Sequence, residues 1–169
     1  KISVGATENS IIAACLAKGK STKLLNCACE PEIKDLTKFL NKAGANIRWS
    51  GRTCTILGVN SLAKTNYTVM SDRIEAGTFC VAATLAKGNL EIKNLEPKII
   101  TTELKLLKKV GAKIKIINNK IFIKGPDKIK SIKNIKTKEF PGIPTDLQAQ
   151  LMVLMCKSTG TSSITESIF

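Results

Sequence analysis

The feature that most constrains this chain is that it repeats itself. Ala13–Gly19 reads AACLAKG and Ala82–Gly88 reads AATLAKG; Asn41–Ile47 reads NKAGANI and Lys108–Ile114 reads KKVGAKI. Glu30-Pro31 recurs as Glu96-Pro97. Gly19 and Gly88 lie 69 residues apart, and Gly44 and Gly111 lie 67 apart. A third copy opens near Asp146 with an apolar run that ends at Gly160, 72 residues after Gly88, and the sequence stops before its second half. Self-similarity at a fixed period means one supersecondary unit used several times, each copy needing its neighbours to bury an apolar face.

Each copy predicts the same elements. The first is a helix apolar on nearly every side (Ile11–Ala17, Phe79–Ala86, Leu151–Cys156), and a helix apolar all round belongs in a core. A glycine suited to a C-cap follows, then a short strand such as Leu90–Lys93. Next comes an amphipathic helix: Ile33, Leu36 and Leu40 share one face in the first copy, Ile100, Leu104 and Leu107 in the second. Pro31 and Pro97 stand where a first helical turn tolerates proline, and Gly44 and Gly111 end these helices. Two strands close the copy, as in Lys113–Ile117 and Lys120–Lys124 around Asn118-Asn119. Counting a strand before the first helix (Thr68–Met70 for the second copy), the unit is βαβαββ. Three units that each supply one buried helix predict an inside-out α/β arrangement, with helices inside and sheet as the wall. Gly58–Lys64, with Gly, Asn and Ser after the strand Thr53–Leu57, is the expected start of a linker.

Composition narrows the function classes. The net charge is +14, with lysines spread along the chain and arginine restricted to Arg48, Arg52 and Arg73. Such a balance can serve nucleic acid, a membrane surface or small anionic substrates. Aromatic residues make up only 4%, too few for base-stacking platforms, so solvated lysine-rich faces are the plainer account. No apolar run approaches the length of a membrane span. Of the six cysteines, Cys27-x-Cys29 has the wrong spacing for a zinc knuckle, and the chain has no histidine. We expect reduced, buried cysteines, no metal and no cofactor. The N-terminal Lys1-Ile2-Ser3-Val4 is neither a start nor a signal peptide, and the chain reads as an internal piece of a longer one.

These features converge on a resemblance. Ser3–Asn9 (SVGATEN), the pattern from Glu30 to Ile47, Asp72–Phe79 (DRIEAGTF), Phe140–Gln150 (FPGIPTDLQAQ) and Thr165–Phe169 (TESIF) resemble, in order and from end to end, the enolpyruvyl transferases, and among them the branch that acts on UDP-N-acetylglucosamine. The resemblance implies an α/β fold of inside-out barrels built from βαβαββ units. Residues 1–70 would be the C-terminal part of a first barrel domain and 71–169 the first part of a second, with a hinge crossing near Val69–Asp72. It implies transfer of enolpyruvyl from phosphoenolpyruvate to the 3-hydroxyl of UDP-N-acetylglucosamine with release of phosphate, the opening of peptidoglycan synthesis in the bacterial cytoplasm. The partners would then be those two small molecules, with no nucleic acid and no membrane insertion; oligomeric state is not implied.

The resemblance also places site residues. It carries the general-base role and a substrate-hydroxyl contact onto Asp146; the alternative for that stretch is a helix cap by Thr145 or Asp146. It places the diphosphate and uridine contact at Lys1, Ile2, Ser3, Val4 and Gly5, where an ammonium, a hydroxyl and helix-opening N–H groups suit phosphate; the alternative is a plain capped turn. Ile168 would touch the nucleotide sugar through its backbone, or else simply pack. Glu30, Glu32, Asp72 and Arg73 map near the cleft between domains, but acids at a helix start and an Asp cap beside an ion pair are the stronger account of them. Two departures stand out: Cys29 replaces the family's usual arginine, and Ile143 a common Phe. The family's loop with a proton-donating cysteine would precede Lys1, so none of the six cysteines inherits that role. Two rival readings remain: the shikimate-pathway relative with the same donor, and a basic nucleic-acid-binding repeat protein, for which no recognised motif is present.

Overall fold

A computed structural model describes all residues, 1–169. The chain divides into two compact units, Lys1–Met70 and Ser71–Phe169, and each is described by itself.

In the first unit, α1 (Val4–Cys15) leads to β1 (Ser21–Leu24), α2 (Pro31–Lys42), β2 (Asn46–Ser50) and β3 (Thr53–Leu57). The strands form an antiparallel sheet in the order β1-β3-β2. Strand alternation sends Cys54 and Ile56 of β3 and Ile47 of β2 inward, where they meet Ile11, Ala14 and Cys15 of α1 and Ile33 and Leu40 of α2. Gly44 closes α2 with φ +102°, a backbone that L side chains resist.

The second unit repeats the order: α3 (Arg73–Leu85), β4 (Asn89–Ile92), a 3-10 turn Pro97–Ile100 running into α4 (Thr101–Lys109), β5 (Lys113–Ile117) and β6 (Lys120–Lys124), with the sheet again antiparallel as β4-β6-β5. Asn118 and Asn119 both take positive φ (48° and 58°), the two-residue hairpin geometry that matches strand twist. Ile100, Leu104 and Leu107 are buried along one face. The third copy follows as β7 (Ile129–Lys130), β8 (Ile135–Lys136), a 3-10 turn Thr145–Leu147, α5 (Gln148–Cys156), β9 (Ser158–Thr159) and β10 (Ile164–Thr165). Here β7 pairs with β9 and β8 with β10, both parallel, so α5 is the crossover of a βαβ unit.

Three expectations need correction. No strand forms at Thr68–Met70. That segment finds its polar partners on a side chain instead: the Tyr67 hydroxyl donates to Asp35 Oδ1 at 2.7 Å and the Met70 N–H to Asp35 Oδ2 at 3.2 Å. The apolar helices are not buried all round. Ile12 and Leu16 at the end of α1, Phe79 of α3, and Met152 and Val153 of α5 are each at least half exposed, because each helix meets covering layers on one side only within its unit. Apolar composition reports what a helix face wants, not whether its unit supplies the partner. Nor are the cysteines uniformly buried: Cys15, Cys27, Cys54 and Cys80 are, Cys29 in the stretch before α2 is half-buried, and Cys156 on α5 is exposed.

One device recurs in both sheet copies. Gly58 follows β3, and a Cβ there would lie 1.9 Å from the backbone oxygen of Ala17, just past α1. Gly125 follows β6, and a Cβ there would lie 2.6 Å from the backbone oxygen of Ala83 in α3. In both, the strand exit presses on the end of the central helix, where only glycine fits. Gly58→Ala and Gly125→Ala are each expected to destabilise their unit by about 1–3 kcal/mol, as overpacking does. Urea denaturation midpoints check this; unchanged midpoints would mean the helix ends are free to shift.

Candidate functional site

The first unit carries the candidate phosphate contact. Ser3 is the N-cap of α1: its Oγ accepts the Ala6 N–H at 3.2 Å. The Thr7 hydroxyl donates to the Ser3 carbonyl at 2.7 Å and accepts the Ala28 N–H at 3.0 Å, tying the helix mouth to the stretch before α2. The capped-turn alternative is therefore realised, and it coexists with an anion-favouring helix N-terminus. Val4 and Gly5 lie in the first turn, and the space around a Gly5 Cβ is open to 4 Å. Glu30 is buried just before α2, its carbonyl accepting the N–H groups of Ile33 and Lys34; Glu32 is half-buried in the first turn. The Cys29 thiol lies 3.7 Å from the Cys27 carbonyl and 3.8 Å from that of Gly51, a backbone-facing position with none of the reach of an arginine.

In the second unit, Asp72 is the N-cap of α3, its Oδ1 accepting the N–H groups of Ile74 (2.7 Å) and Glu75 (3.1 Å). Arg73 turns into the unit: it is 5% exposed, 3.8 Å from the equally buried Glu103, with its guanidinium 5.7 Å from the Phe140 ring centre. Burial pushes the Glu103 carboxyl up, and Arg73 pulls it partly back. Beside Asp72 a cavity of about 510 Å³ is lined by Ser71, Asp72, Glu75, Phe79, Glu91 and Lys93. Three acids against one lysine make it a poor holder of phosphates.

Asp146 sits in the middle of the 3-10 turn before α5, exposed to solvent. The cap alternative fails here. No side chain caps that turn, and Thr145 spends its hydroxyl on Glu166 Oε2 at 2.6 Å. The turn is nonetheless held on every side. Leu147 is buried against Gly77, where a Cβ would come within 2.6 Å of its Cδ1. The Gln150 amide donates to Thr78 at 2.9 Å, and the Thr102 hydroxyl to the Pro141 carbonyl at 2.5 Å. Buried Ile143 bridges in parallel to Thr137, a packing position. Ile168 is half-buried, and its N–H donates to Glu166 Oε1 at 2.5 Å.

Sequence reasoning missed Glu103 and Glu166. Glu166 lay inside the TESIF match, and its only signal was an acid flanked by hydroxyl residues at a strand end. The Thr145 hydroxyl, with help from the Ile168 and Phe169 N–H groups and Thr137, pulls the Glu166 carboxyl down to about 2. A lowered folded-state pKa gives stability that is present above the unfolded value of about 4.3 and lost as pH falls through about 2. Glu166→Gln removes that titration. Its denaturation midpoint is expected to vary less with pH across this window than the wild type's; parallel profiles would contradict the assignment.

The family model described as EPSP synthase (3-phosphoshikimate 1-carboxyvinyltransferase) matches residues 1–169. The chain belongs to this family of enolpyruvyl transferases. It is 61% identical over its whole length to the UDP-N-acetylglucosamine 1-carboxyvinyltransferase of Pelagibacter ubique (strain HTCC1062), and 48% identical over 99% of its length to the protein of the same name from Desulfosudis oleivorans. It spans 40% of the length of each. Among solved structures, the enolpyruvyl transferase NikO from Streptomyces tendae superposes with a TM-score of 0.81 at 24% identity, covering 96% of this chain and 39% of that one. EPSP synthase from Acinetobacter baumannii gives 0.61 at 20% identity, over 92% and 37%. These likenesses establish the α/β enolpyruvyl transferase fold. No helix of the chain is long and apolar enough to cross a membrane.

Proposed function

We propose that the protein to which this chain belongs transfers enolpyruvyl from phosphoenolpyruvate to the 3-hydroxyl of UDP-N-acetylglucosamine, releasing phosphate. The observation that carries this reading is the 61% identity, across the whole chain, to a relative bearing that activity's name. In bacteria the product feeds peptidoglycan synthesis, a cytoplasmic pathway.

Within the reaction, Asp146 is the base. A sugar hydroxyl attacks C2 of the enolpyruvyl group only as it gives up its proton, and a carboxylate within hydrogen-bond reach accepts it. The support is geometric: Asp146 is solvent-facing while the residues on either side of it are anchored, so the carboxylate is accessible and its mount is rigid. Ile168 contacts the nucleotide sugar through its carbonyl, since Glu166 takes its N–H. The Lys1–Gly5 stretch receives the diphosphate with the Lys1 ammonium and the N–H groups opening α1. Asp72 and Glu30 shape helix starts, and Arg73 supports the Phe140 segment.

Because the matching family model is named for 3-phosphoshikimate, acceptor choice is the decisive experiment. Phosphate release from phosphoenolpyruvate by the full-length protein is expected with UDP-N-acetylglucosamine and absent with 3-phosphoshikimate. The reverse pattern overturns the reading.

A further inference from the structure

Asp146 and Ile168 lie on different loops of the second unit, and one side chain reaches both. Glu166 Oε2 accepts the hydroxyl of Thr145, the residue before Asp146, at 2.6 Å. Glu166 Oε1 accepts the N–H groups of Ile168 at 2.5 Å and Phe169 at 3.4 Å. The segment just after β10 that carries Glu166 is fixed in turn. Fully buried Thr137 donates its N–H to the Thr165 carbonyl at 3.0 Å and accepts the Ser167 N–H on its Oγ1 at 2.9 Å. The Ser167 hydroxyl returns a bond to the Thr137 carbonyl at 2.5 Å. Glu166 is thus a bracket standing on a rigid base, with one oxygen committed to each loop.

We propose that Glu166 is a positioning residue for the acceptor sugar, holding the Asp146 turn and the Ile168 backbone in one fixed relation. This rests on the reading above, in which both positions meet the same nucleotide sugar. An ionised carboxylate only accepts, so it forces the Thr145 hydroxyl and the Ile168 N–H to point at it, and charge-assisted bonds of this kind are short and strong. The mount matters because a misplacement of about 1 Å at a reacting group costs on the order of a hundredfold in rate. Nothing in the bracket touches the enolpyruvyl donor in this reading, so its loss acts on the acceptor side.

The test uses the full-length enzyme. Glu166→Ala is expected to lower kcat/KM for UDP-N-acetylglucosamine by about 10- to 100-fold while the KM for phosphoenolpyruvate moves less than about twofold. Glu166→Gln, which can offer its oxygen to the N–H groups and its amide to Thr145, is expected to restore most of that loss. Thr145→Val should reproduce part of the effect alone and add nothing in the Glu166→Ala background, since both remove one link. Hydrogen exchange gives a readout independent of turnover: amides at Asp146–Gln148 and at Ile168 are expected to exchange faster in Glu166→Ala. If Glu166→Ala does not fold, the Glu166→Gln and Thr145→Val variants decide by the same measurements. A wild-type enzyme that does not use UDP-N-acetylglucosamine overturns the functional reading and this inference together. An active wild type whose Glu166 and Thr145 variants keep kcat/KM, or whose Asp146–Gln148 exchange is unchanged, overturns this inference alone. A lowered melting temperature with unaltered kinetic constants does the same, marking a structural role only.

Discussion

Asp146→Asn in the full-length enzyme is expected to lower kcat at least about a hundredfold, the scale of a lost general base. Affinity for the nucleotide sugar should change far less, because asparagine keeps the shape and one hydrogen-bonding oxygen. The structure makes this a clean substitution. Asp146 caps no helix and is exposed, while Thr145 and Leu147 hold the turn without it. A change of stability is therefore not expected, and a fall in kcat can be read as chemistry. Near-normal turnover would remove Asp146 from the mechanism.

Arg73→Leu is expected to produce the largest loss of stability. Arg73 and Glu103 are both about nine-tenths buried or more, and removing one member of such a pair strands the other's charge, at a cost of about 3–5 kcal/mol. The pH dependence follows from Glu103. Burial already raises its pKa, and Arg73 is the neighbour that lowers it. Without Arg73 the folded-state pKa climbs further above the unfolded value. A raised pKa gives relative stability below the unfolded value that is lost as pH rises through the folded one. The deficit of Arg73→Leu relative to wild type should therefore be largest at neutral pH and shrink on acidification, as Glu103 takes up a proton. Chemical denaturation of both proteins across that range tests it. A deficit that does not vary with pH would assign the loss to packing against Phe140.

How much of this was legible follows from what each signal reports. The repeat exposed the order of elements, since periodicity, Gly44, Gly111 and the Asn118-Asn119 turn are local signals with local causes. The amphipathic faces of α2 and α4 were legible for the same reason. Burial of α1, α3 and α5 was not, because their outer faces depend on partners that no local pattern encodes. Thr68–Met70 has strand-like residues, yet no strand lies beside it and Asp35 takes its N–H. At the candidate site, motif matching drew attention to Asp146 and Ile168. It could not reveal Glu166 or Glu103, whose roles arise from contacts across 21 residues to Thr145 and from a buried pairing with Arg73. The 3-10 turn around Asp146 was also hidden: Thr145 is a fair N-cap by type, and only the position of Glu166 shows why it does not serve as one.

Enolpyruvyl transfer itself is tested by following the carbon. The full-length protein is incubated with UDP-N-acetylglucosamine and phosphoenolpyruvate carrying carbon-13 at C2, and the products are read by NMR. The label is expected to move into an enolpyruvyl ether on the 3-oxygen of the sugar, in step with phosphate release and dependent on Asp146. Label that stays in phosphoenolpyruvate, or that transfers only when 3-phosphoshikimate replaces the nucleotide sugar, would contradict it.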